Sequence, residues 1–346
     1  MAPRQTSRRD VAVIIVTYRS AELTIAALRS VESDRASSAH GIRAVVVDNA
    51  SGDLPEISSA IEQQGWSSWV TAVQAPRNGG FAYGNNLGIS RACSAAAPDY
   101  VYLLNPDAQV RAGAIDALVR FLELHPAVGI AGSEIENIDG SEWPMAFRFP
   151  SLLSELNDGL NFGVASRLLA RWLVPRKMGR TAEPVDWICG ASMMIRPAVF
   201  AAIGGLDENY FLYFEETDFC RRASLAGFQT WYVPESRVRH MKGQSTGADT
   251  DRTGASRLPA YWFESRRRYF ALAFGIPGAM VIDFVAVSAH ALGYIKRILL
   301  NRRHTVVPHF TRDLLAHSIV RTRNRKIPPP RVALLAAQHL EPPGKA

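Results

Sequence analysis

The chain is poor in cysteine. Cys93, Cys189 and Cys220 are the only three in 346 residues. Their spacing fits neither a zinc site nor a disulfide framework, so a reducing, cytoplasmic compartment is expected. Two phosphate-binding signatures are also missing. No GxGxxG follows the first apolar strand, which counts against a dinucleotide enzyme, and no GxxxxGKS or GxxxxGKT occurs, which counts against a P-loop NTPase. No internal repeat is evident, which sets aside solenoids and propellers. Met1 to Asp10 is short, polar and basic. It holds no apolar stretch, so it does not read as a signal peptide and is expected to be flexible. Neither several apolar spans nor a QxxRW-like motif is present, as a processive membrane synthase would have.

What is present is apolar and basic. Hydrophobic residues make up 47% of the chain, enough for a sizeable core. The formal net charge of +7 is concentrated after Gly254, where Arg257, Arg266, Arg267, Arg268, Lys296, Arg297 and further arginines have few acids between them. Such a tail points to an anionic partner, whether phospholipid, nucleic acid or diphosphate. The plainer reading is a solvated face.

The first half alternates strand and helix. Val11 to Thr17 is a β-branched run suited to a buried parallel strand. Ser20 is placed to cap the following helix. Further strands are expected at 42–47, 69–74, 100–104 and from 128, with helices at 81–97 and 112–124 between them. This alternation implies βαβ units and a parallel sheet, in which ligands bind beyond the carboxyl ends of the strands. Those ends carry Thr17-Tyr18-Arg19, Asp48-Asn49 and Asn105-Pro106-Asp107. The pattern weakens over 135–184, where 151–178 is expected to be helical. It resumes at Trp187 to Arg196, in a helix from Glu215 to Gly227, and in short strands at 229–233 and 236–240.

Five segments carry polar groups suited to chemistry. A strand-end carboxylate at Asp48 can accept hydrogen bonds from a nucleobase or ribose, or can instead organise its own turn. Asn78-Gly79-Gly80-Phe81, leading into Asn85, places paired glycines before a helix, where backbone can approach a phosphate. Asp107 can bind a divalent cation together with a diphosphate, or start a helix through an Asx turn. The run from Tyr210 to Asp218 sets aromatic residues before three acids, Glu215, Glu216 and Asp218. Such acids suit either a general base beside a sugar platform or the dipole of a helix start. His240 at a strand end is a metal-ligand candidate or an ordinary structural histidine.

Taken in order, VIIVTYRS, VVVDNASGD, RNGGFAYGNNLGI, LLNPDAQV, the Trp187–Arg196 segment, GGLDENYFLYFEETDFCRR and the His240 segment resemble family 2 glycosyltransferases of the GT-A fold. They are most similar to the rhamnosyltransferase-like members that build bacterial cell-surface polysaccharides, and the similarity runs from about Val11 to about Phe270. The resemblance implies an α/β fold with a Rossmann-like mixed sheet and a C-terminal helical extension. It implies an inverting transfer from a nucleotide-diphosphate sugar, dTDP-rhamnose first and a UDP-sugar next, to a glycan or polyprenyl diphosphate-linked acceptor, with Mg2+ or Mn2+ as cofactor. Thr17, Tyr18, Arg19, Asp48, Asn49, Asn78, Gly80, Phe81, Asn85 and Asn105 are then expected at the donor. Asp107 and His240 are expected at the metal, and Trp187, Gly190, Ala191 and Tyr213 at the acceptor. Glu216 stands where the family has its catalytic base, with Glu215 or Asp218 as substitutes. Asn105 replaces the first acid of the family's DXD motif.

Two other classes compete. A nucleotidyltransferase would show an early Gly-rich loop with a basic residue, which is missing after Val16. A glycan-binding scaffold would have no use for Asp107, Glu216 and His240 together. The expected division is residues 1–10, a catalytic domain 11–256 (11–134 for the donor, 135–256 for the acceptor), a basic helical extension 257–326 and a mobile tail 327–346. Within the extension, Asp283, His290 and Arg297 recur every seven residues on one stripe of a largely apolar helix, 277–300. The expectation is a helix lying on an anionic membrane surface at the inner face of the plasma membrane, with no nucleic-acid partner. The alternative is a helix packed on the catalytic domain or on a second subunit in a homodimer.

Overall fold

The computed structural model describes residues 7–137, 145–160, 163–240, 256–300, 307–322 and 327–332. Strands are β1 (Asp10–Thr17), β2 (Gly41–Asp48), β3 (Val70–Gln74), β4 (Tyr100–Leu104), β5 (Ala108–Val110), β6 (Val128–Glu136), β7 (Ala146–Phe147), β8 (Glu183–Val185), β9 (Trp187–Ile188), β10 (Ser192–Ile195) and β11 (Gln229–His240). Helices are α1 (Ala21–Ser37), α2 (Leu54–Gln63), α3 (Gly80–Ala95), α4 (Ala114–Leu124), α5 (Leu152–Leu160), α6 (Gly163–Leu168), α7 (Pro197–Ile203), α8 (Glu215–Leu225), α9 (Ala260–Leu299) and α10 (Phe310–Ala316).

Among the described residues the main sheet has nine strands in the order β3-β2-β1-β4-β10-β6-β11-β5, with β8 also paired to β11. The β3-β2-β1-β4 half is parallel, and β10 enters antiparallel between β4 and β6, so the sheet is mixed. Alternation along β1 explains the layering. Val11, Val13 and Ile15 face a core with Leu28 and Val31 of α1, Ile57 of α2 and Leu118 of α4. Ala12 and Ile14 face a second core with Ile89 of α3, Phe200 of α7 and Phe219 of α8. Both faces of the sheet are therefore covered, as a continuous apolar strand requires.

Several boundaries differ from expectation. The two short strands expected near 229–240 are one strand, β11, with an irregularity between Val233 and Arg237. The helix expected over 151–178 is broken: α5, α6 and a single 3-10 turn at Ala170–Trp172 occupy it. Ser20 sits at the N-cap of α1 without a side-chain cap bond. Its hydroxyl lies 3.1 Å from that of Thr17 instead.

The extension is not one rod. Gly275 breaks α9 at φ 71°, ψ 170°, a conformation essentially confined to glycine. Arg266 meets Asp283, Phe263 clusters with Ala286, and Phe270 with Ala279, at near-equal distances on either side of Gly275. The two halves therefore run antiparallel as a hairpin. Asp283, expected at a water–lipid boundary, is buried. One oxygen takes the Arg266 guanidinium at 2.6 Å and the other the Ile319 N–H at 2.7 Å, while Arg266 also binds Glu155 of α5 at 2.6 Å. The basic run is correspondingly internal in part. Arg257 pairs with Asp313, Arg267 with the His317 carbonyl and Thr322, and Arg268 with Asp207. The expected mobile tail is anchored where it is described. Arg331 N–H donates to Asp207 at 2.9 Å, and Val332 bridges to Asp207. At the other end, Arg9 pairs with Glu123 at 2.7 Å, so the segment before β1 is tied down as well. Residues 1–6 and 333–346 lie outside the described residues.

Candidate active site

The carboxyl ends of β1, β2 and β4 lie together at one edge, and local chemistry shapes each loop there. Asp48 is fully buried. One of its oxygens accepts the Ser51 N–H (2.8 Å) and hydroxyl (2.6 Å), the other the Gly52 and Leu54 N–H groups (both 3.2 Å). Four donors fill the acceptor sites of a carboxylate, so the turn reading holds and Asp48 builds the loop. Burial works to raise its pKa, but the Ser51 hydroxyl and these N–H groups outweigh it and hold the carboxyl below its ordinary range. Thr17 is likewise committed, donating to Asp53 at 2.9 Å. Asn49 reaches the Asn78 side chain at 3.0 Å and the Gly80 carbonyl at 3.1 Å, locking two loops together. Asn85 turns back onto the Phe81 carbonyl at 2.9 Å. Of the expected donor residues, Tyr18 and Arg19 are exposed and Asn78 partly so. Phe81 and Asn105 are partly exposed as well, and the Asn78 side-chain oxygen is held by Asn49 and the Gly80 N–H, so Tyr18 and Arg19 are the most open of the expected set.

Gly80 has φ 84°, and a Cβ there would lie 1.9 Å from the Phe211 carbonyl oxygen. The same carbonyl accepts the Phe81 N–H at 2.9 Å. The glycine therefore allows α3 to start against the aromatic segment that leads into α8. Its close approach is to backbone, not to a phosphate cradle. That aromatic segment is strained: Tyr213 and Phe214 hold φ of 71° and 69°, which non-glycine residues rarely adopt.

The deciding geometry centres on Gly190 and Ala191, between β9 and β10. The Gly190 N–H donates to Glu216 Oε1 at 3.2 Å. The next residue's carbonyl, that of Ala191, accepts the Asn105 N–H at 3.1 Å, and the turn from Asn105 closes through Ala108 N–H to Asn105 O at 3.1 Å. One dipeptide thus holds both the expected base and the Asn-Pro-Asp turn. Register then supplies the histidine. β11 pairs antiparallel with β5, setting His240 opposite Ala108, and His240 Nε2 lies 3.2 Å from Asp107 Oδ1. The thiol of the partly buried Cys189 reports the clustering: burial first, then the charges of Glu216, Asp107 and Glu215, push it up to about 12.

The three acids separate by environment. Asp218 is bound by Arg222 at 2.7 Å, which also holds the Ile203 and Gly205 carbonyls. It is thereby removed from the candidate bases. Glu215 is 1% exposed, and its Oε2 has no hydrogen-bond partner among the described residues. Burial, then the neighbouring Glu216, push its pKa well above the ordinary range, so it favours the neutral form. Glu216 is only partly buried, and its carboxyl is raised mainly by burial. Burial thus raises both neighbouring carboxyls, and Glu216 is the one that is partly exposed and held by a backbone N–H.

A family described as "Glycosyltransferase like family 2" matches residues 8–256, most of the chain. The chain belongs to glycosyltransferase family 2. Among curated proteins, this glycosyltransferase is 36% identical over 173 residues to the N-acetylglucosaminyl-diphospho-decaprenol L-rhamnosyltransferase of Mycobacterium tuberculosis, covering 47% of this chain and 52% of that protein. It is 32% identical over 224 residues to the low-salt glycan biosynthesis hexosyltransferase Agl10 of Haloferax volcanii, covering 64% and 63%. It is 26% identical over 168 residues to the rhamnosyltransferase WbbL of Escherichia coli, covering 46% and 60%. The chain thus spans about half to three fifths of the length of these relatives. Among solved structures, the mannosyltransferase PcManGT of Pyrobaculum calidifontis, in complex with GDP-Man and Mn2+, superposes with a TM-score of 0.52 at 16% identity, over 90% of this chain and 79% of that one. GalNAc-T7 with UDP, GalNAc and Mn2+ gives 0.54 at 14% identity, over 90% and 55%. At such identities these likenesses establish the GT-A fold alone.

Trp187 and Tyr213, expected at the acceptor, stand beside this centre. Trp187 stacks on Phe147 at 4.2 Å and donates to the Arg148 carbonyl at 3.0 Å, while Tyr213 stacks on Tyr261. Sequence reasoning missed Asn86, which binds Leu206 through both its carbonyl and amide and so positions the segment before α8. It also missed Phe147, Trp262 and Phe310, which no motif marks. They lie on three separate elements, and each by itself reads as an ordinary core aromatic.

Proposed function

We propose that this glycosyltransferase transfers a single sugar, rhamnose from dTDP-rhamnose, with inversion to a lipid-linked or growing cell-surface glycan. The observation that carries the reading is the Gly190–Ala191 dipeptide, which holds Glu216 and the Asp107 turn at one place, with His240 at 3.2 Å from Asp107. The sugar and acceptor classes are taken from the rhamnosyltransferase relatives.

Glu216 accepts the proton of the attacking acceptor hydroxyl, and one base suffices for a single displacement at the anomeric carbon. Glu215, neutral and buried beside it, adds no competing charge. Asp107 and His240 offer one carboxylate oxygen and one imidazole nitrogen, a donor pair that fits Mn2+ or Mg2+ when the diphosphate and water complete the shell. Among the described residues no cluster of three or more His, Cys, Asp or Glu competes for a metal. A cation bound there offsets the charge that develops on the leaving diphosphate. Tyr18 and Arg19, both exposed, and Asn78, partly so, meet the nucleotide.

The extension holds the enzyme at the inner face of the plasma membrane. The second half of α9 turns Val281, Phe284, Leu292, Ile295, Ile298 and Leu299 to the surface, each more than half exposed, and its last turn carries Lys296 and Arg297. An apolar stripe ending in cations suits an anionic bilayer surface. The test is a panel of dTDP-rhamnose, UDP-sugars and GDP-mannose assayed for release of nucleoside diphosphate with a lipid-linked N-acetylglucosamine acceptor, and the anomeric configuration of the product read by NMR. Preferential turnover of a UDP-sugar would overturn the rhamnose assignment, and retained configuration would overturn the single displacement.

A further inference from the structure

The extension does more than cover an apolar face. A cavity of about 410 Å³ lies between it and the catalytic domain. Its aromatic walls come from distant parts of the chain: Phe147 and Trp187 of the small sheet, Phe214 before α8, Trp262 of α9 and Phe310 of α10. The rings brace one another. Phe214 lies 5.9 Å from Trp262, and Trp262 lies 5.7 Å from Phe310. Tyr213 and Thr217, which flank Glu215 and Glu216 in the chain at the start of α8, line another side, and the exposed Asp158 of α5 supplies a carboxylate. The cavity opens to solvent, and aromatic walls with a few polar groups are the usual lining of a small-molecule site.

Two features say what fits. Aromatic faces with an adjacent carboxylate match a pyranose, whose C–H face stacks while its hydroxyls donate to the acid. A line also leads outward. His290 is in the cavity wall, 4.5 Å from Phe310. Tyr294 and Ile298 follow at i+4 and i+8 on the same line of the helix, 56% and 62% exposed, and span about 12 Å. This line ends among Leu299, Leu300 and the cations Lys296 and Arg297. The family match ends at residue 256, so Trp262, His290 and Phe310 lie outside it, in the extension.

We propose that this cavity is the acceptor site, holding the saccharide end of a lipid-linked acceptor against its aromatic walls at the start of α8, the helix that carries Glu216, while the lipid chain follows the Tyr294–Ile298 line to the bilayer. The assignment rests on the lipid-linked reading given above. Its test uses the full-length protein and a farnesyl diphosphate-linked N-acetylglucosamine as probe. Trp262→Leu and Asp158→Asn should each raise the acceptor KM by about tenfold or more, as the loss of a wall contact or a hydrogen bond does. The donor KM and the slow release of nucleoside diphosphate without acceptor should not change. The probe should quench tryptophan fluorescence saturably in the wild type and less in Trp262→Leu, and farnesyl diphosphate or free N-acetylglucosamine alone should bind more weakly. Asp158 is exposed, so its amide tests the site without disturbing packing. Unchanged acceptor KM in both variants would overturn the site and leave the lipid-linked reading standing. If the wild type turns over donor only with lipid-free glycans, the lipid-linked reading fails, and absence of saturable quenching by the probe then overturns the site as well.

Discussion

Replacing Glu216 by glutamine removes one property and keeps the rest. The amide retains an oxygen for the Gly190 N–H, which now donates to Glu216 Oε1 at 3.2 Å, and the side-chain volume is unchanged. The Gly190–Ala191 link to the Asn105 turn therefore survives, and with it the donor side of the centre. What disappears is the proton acceptor. Loss of a general base costs about 10²–10⁴ in rate, or ~3–5 kcal/mol of transition-state stabilisation at ~1.4 kcal/mol per tenfold. Steady-state release of nucleoside diphosphate in the presence of acceptor should fall by that factor, and donor affinity by calorimetry should hold. Glu215→Gln is the matched control. Because Glu215 favours the neutral form, its amide should stay within about threefold of wild type, a difference of under ~1 kcal/mol. The pH profile adds an independent reading. Glu216 acts ionised, and burial raises its pKa, so the rate should climb with pH along a limb lying above the usual carboxylate value of about 4.3 and fall away as pH drops through it. Glu216→Gln should lose that limb. A Glu216→Gln enzyme with a near-normal rate and the same acid limb would refute the assignment, and the same loss in Glu215→Gln instead would move the base by one residue.

Asp107→Ala should abolish turnover and weaken metal-dependent donor binding, and His240→Ala should raise the metal concentration needed for half-maximal rate. Normal rate with unchanged metal dependence in either would rule out the pair. Arg266→Met should lower stability by about 3–5 kcal/mol, because Asp283 and Glu155 are left buried without their cation. Thermal melting should show it, and Arg266→Met combined with Asp283→Leu should recover much of the loss. Phe284→Glu with Ile295→Glu should abolish sedimentation with anionic liposomes while leaving detergent-assayed turnover intact; undiminished binding would refute the membrane-facing stripe.

The donor half of the fold was legible because each strand announced itself. The β-branched run at Val11 to Thr17 and the polar residues at strand ends predicted both the sheet and the edge where the site lies. Asp107 and Glu216 were legible as chemistry, and what ties them together was not. No pattern in the sequence says that Gly190 would donate to Glu216 while Ala191 accepts from Asn105, because those bonds join segments some 25 to 85 residues apart through backbone alone. Asp48, Thr17 and Asp218 show the converse limit. Their residue types suit ligand contact, yet turn N–H groups, Asp53 and Arg222 reached them first. A partner from the chain itself, in the same turn for Asp48, one helical turn away for Asp218 and 36 residues away for Thr17, is present in every copy of the fold, so a polar side chain at a loop start can be claimed before any ligand arrives.

The extension shows how much one backbone torsion decides. The sequence marks the second segment of α9 by Gly275-Ile276-Pro277 and an apolar run, and a stripe of Asp283, His290 and Arg297 invites the view that those polar groups face water. That view assumes a lone helix. At φ 71°, ψ 170°, Gly275 sends the chain back, and the stripe meets the first half of the hairpin. Asp283 then finds Arg266, and His290 is held neutral by burial and by Arg266 and Arg297, which lower its pKa to about 4. The surface left facing outward is the apolar one. The reversal fits tightly against the catalytic domain: a Cβ on Gly293 would lie 2.2 Å from the Gly159 carbonyl oxygen, so α5 and the hairpin touch backbone to backbone. A hairpin fixed in that way has one position relative to Trp187 and Phe214. The polar stripe that seemed suited to a membrane edge therefore serves to clamp the hairpin beside the start of α8, and the same clamp is what gives the aromatic cavity its outer wall.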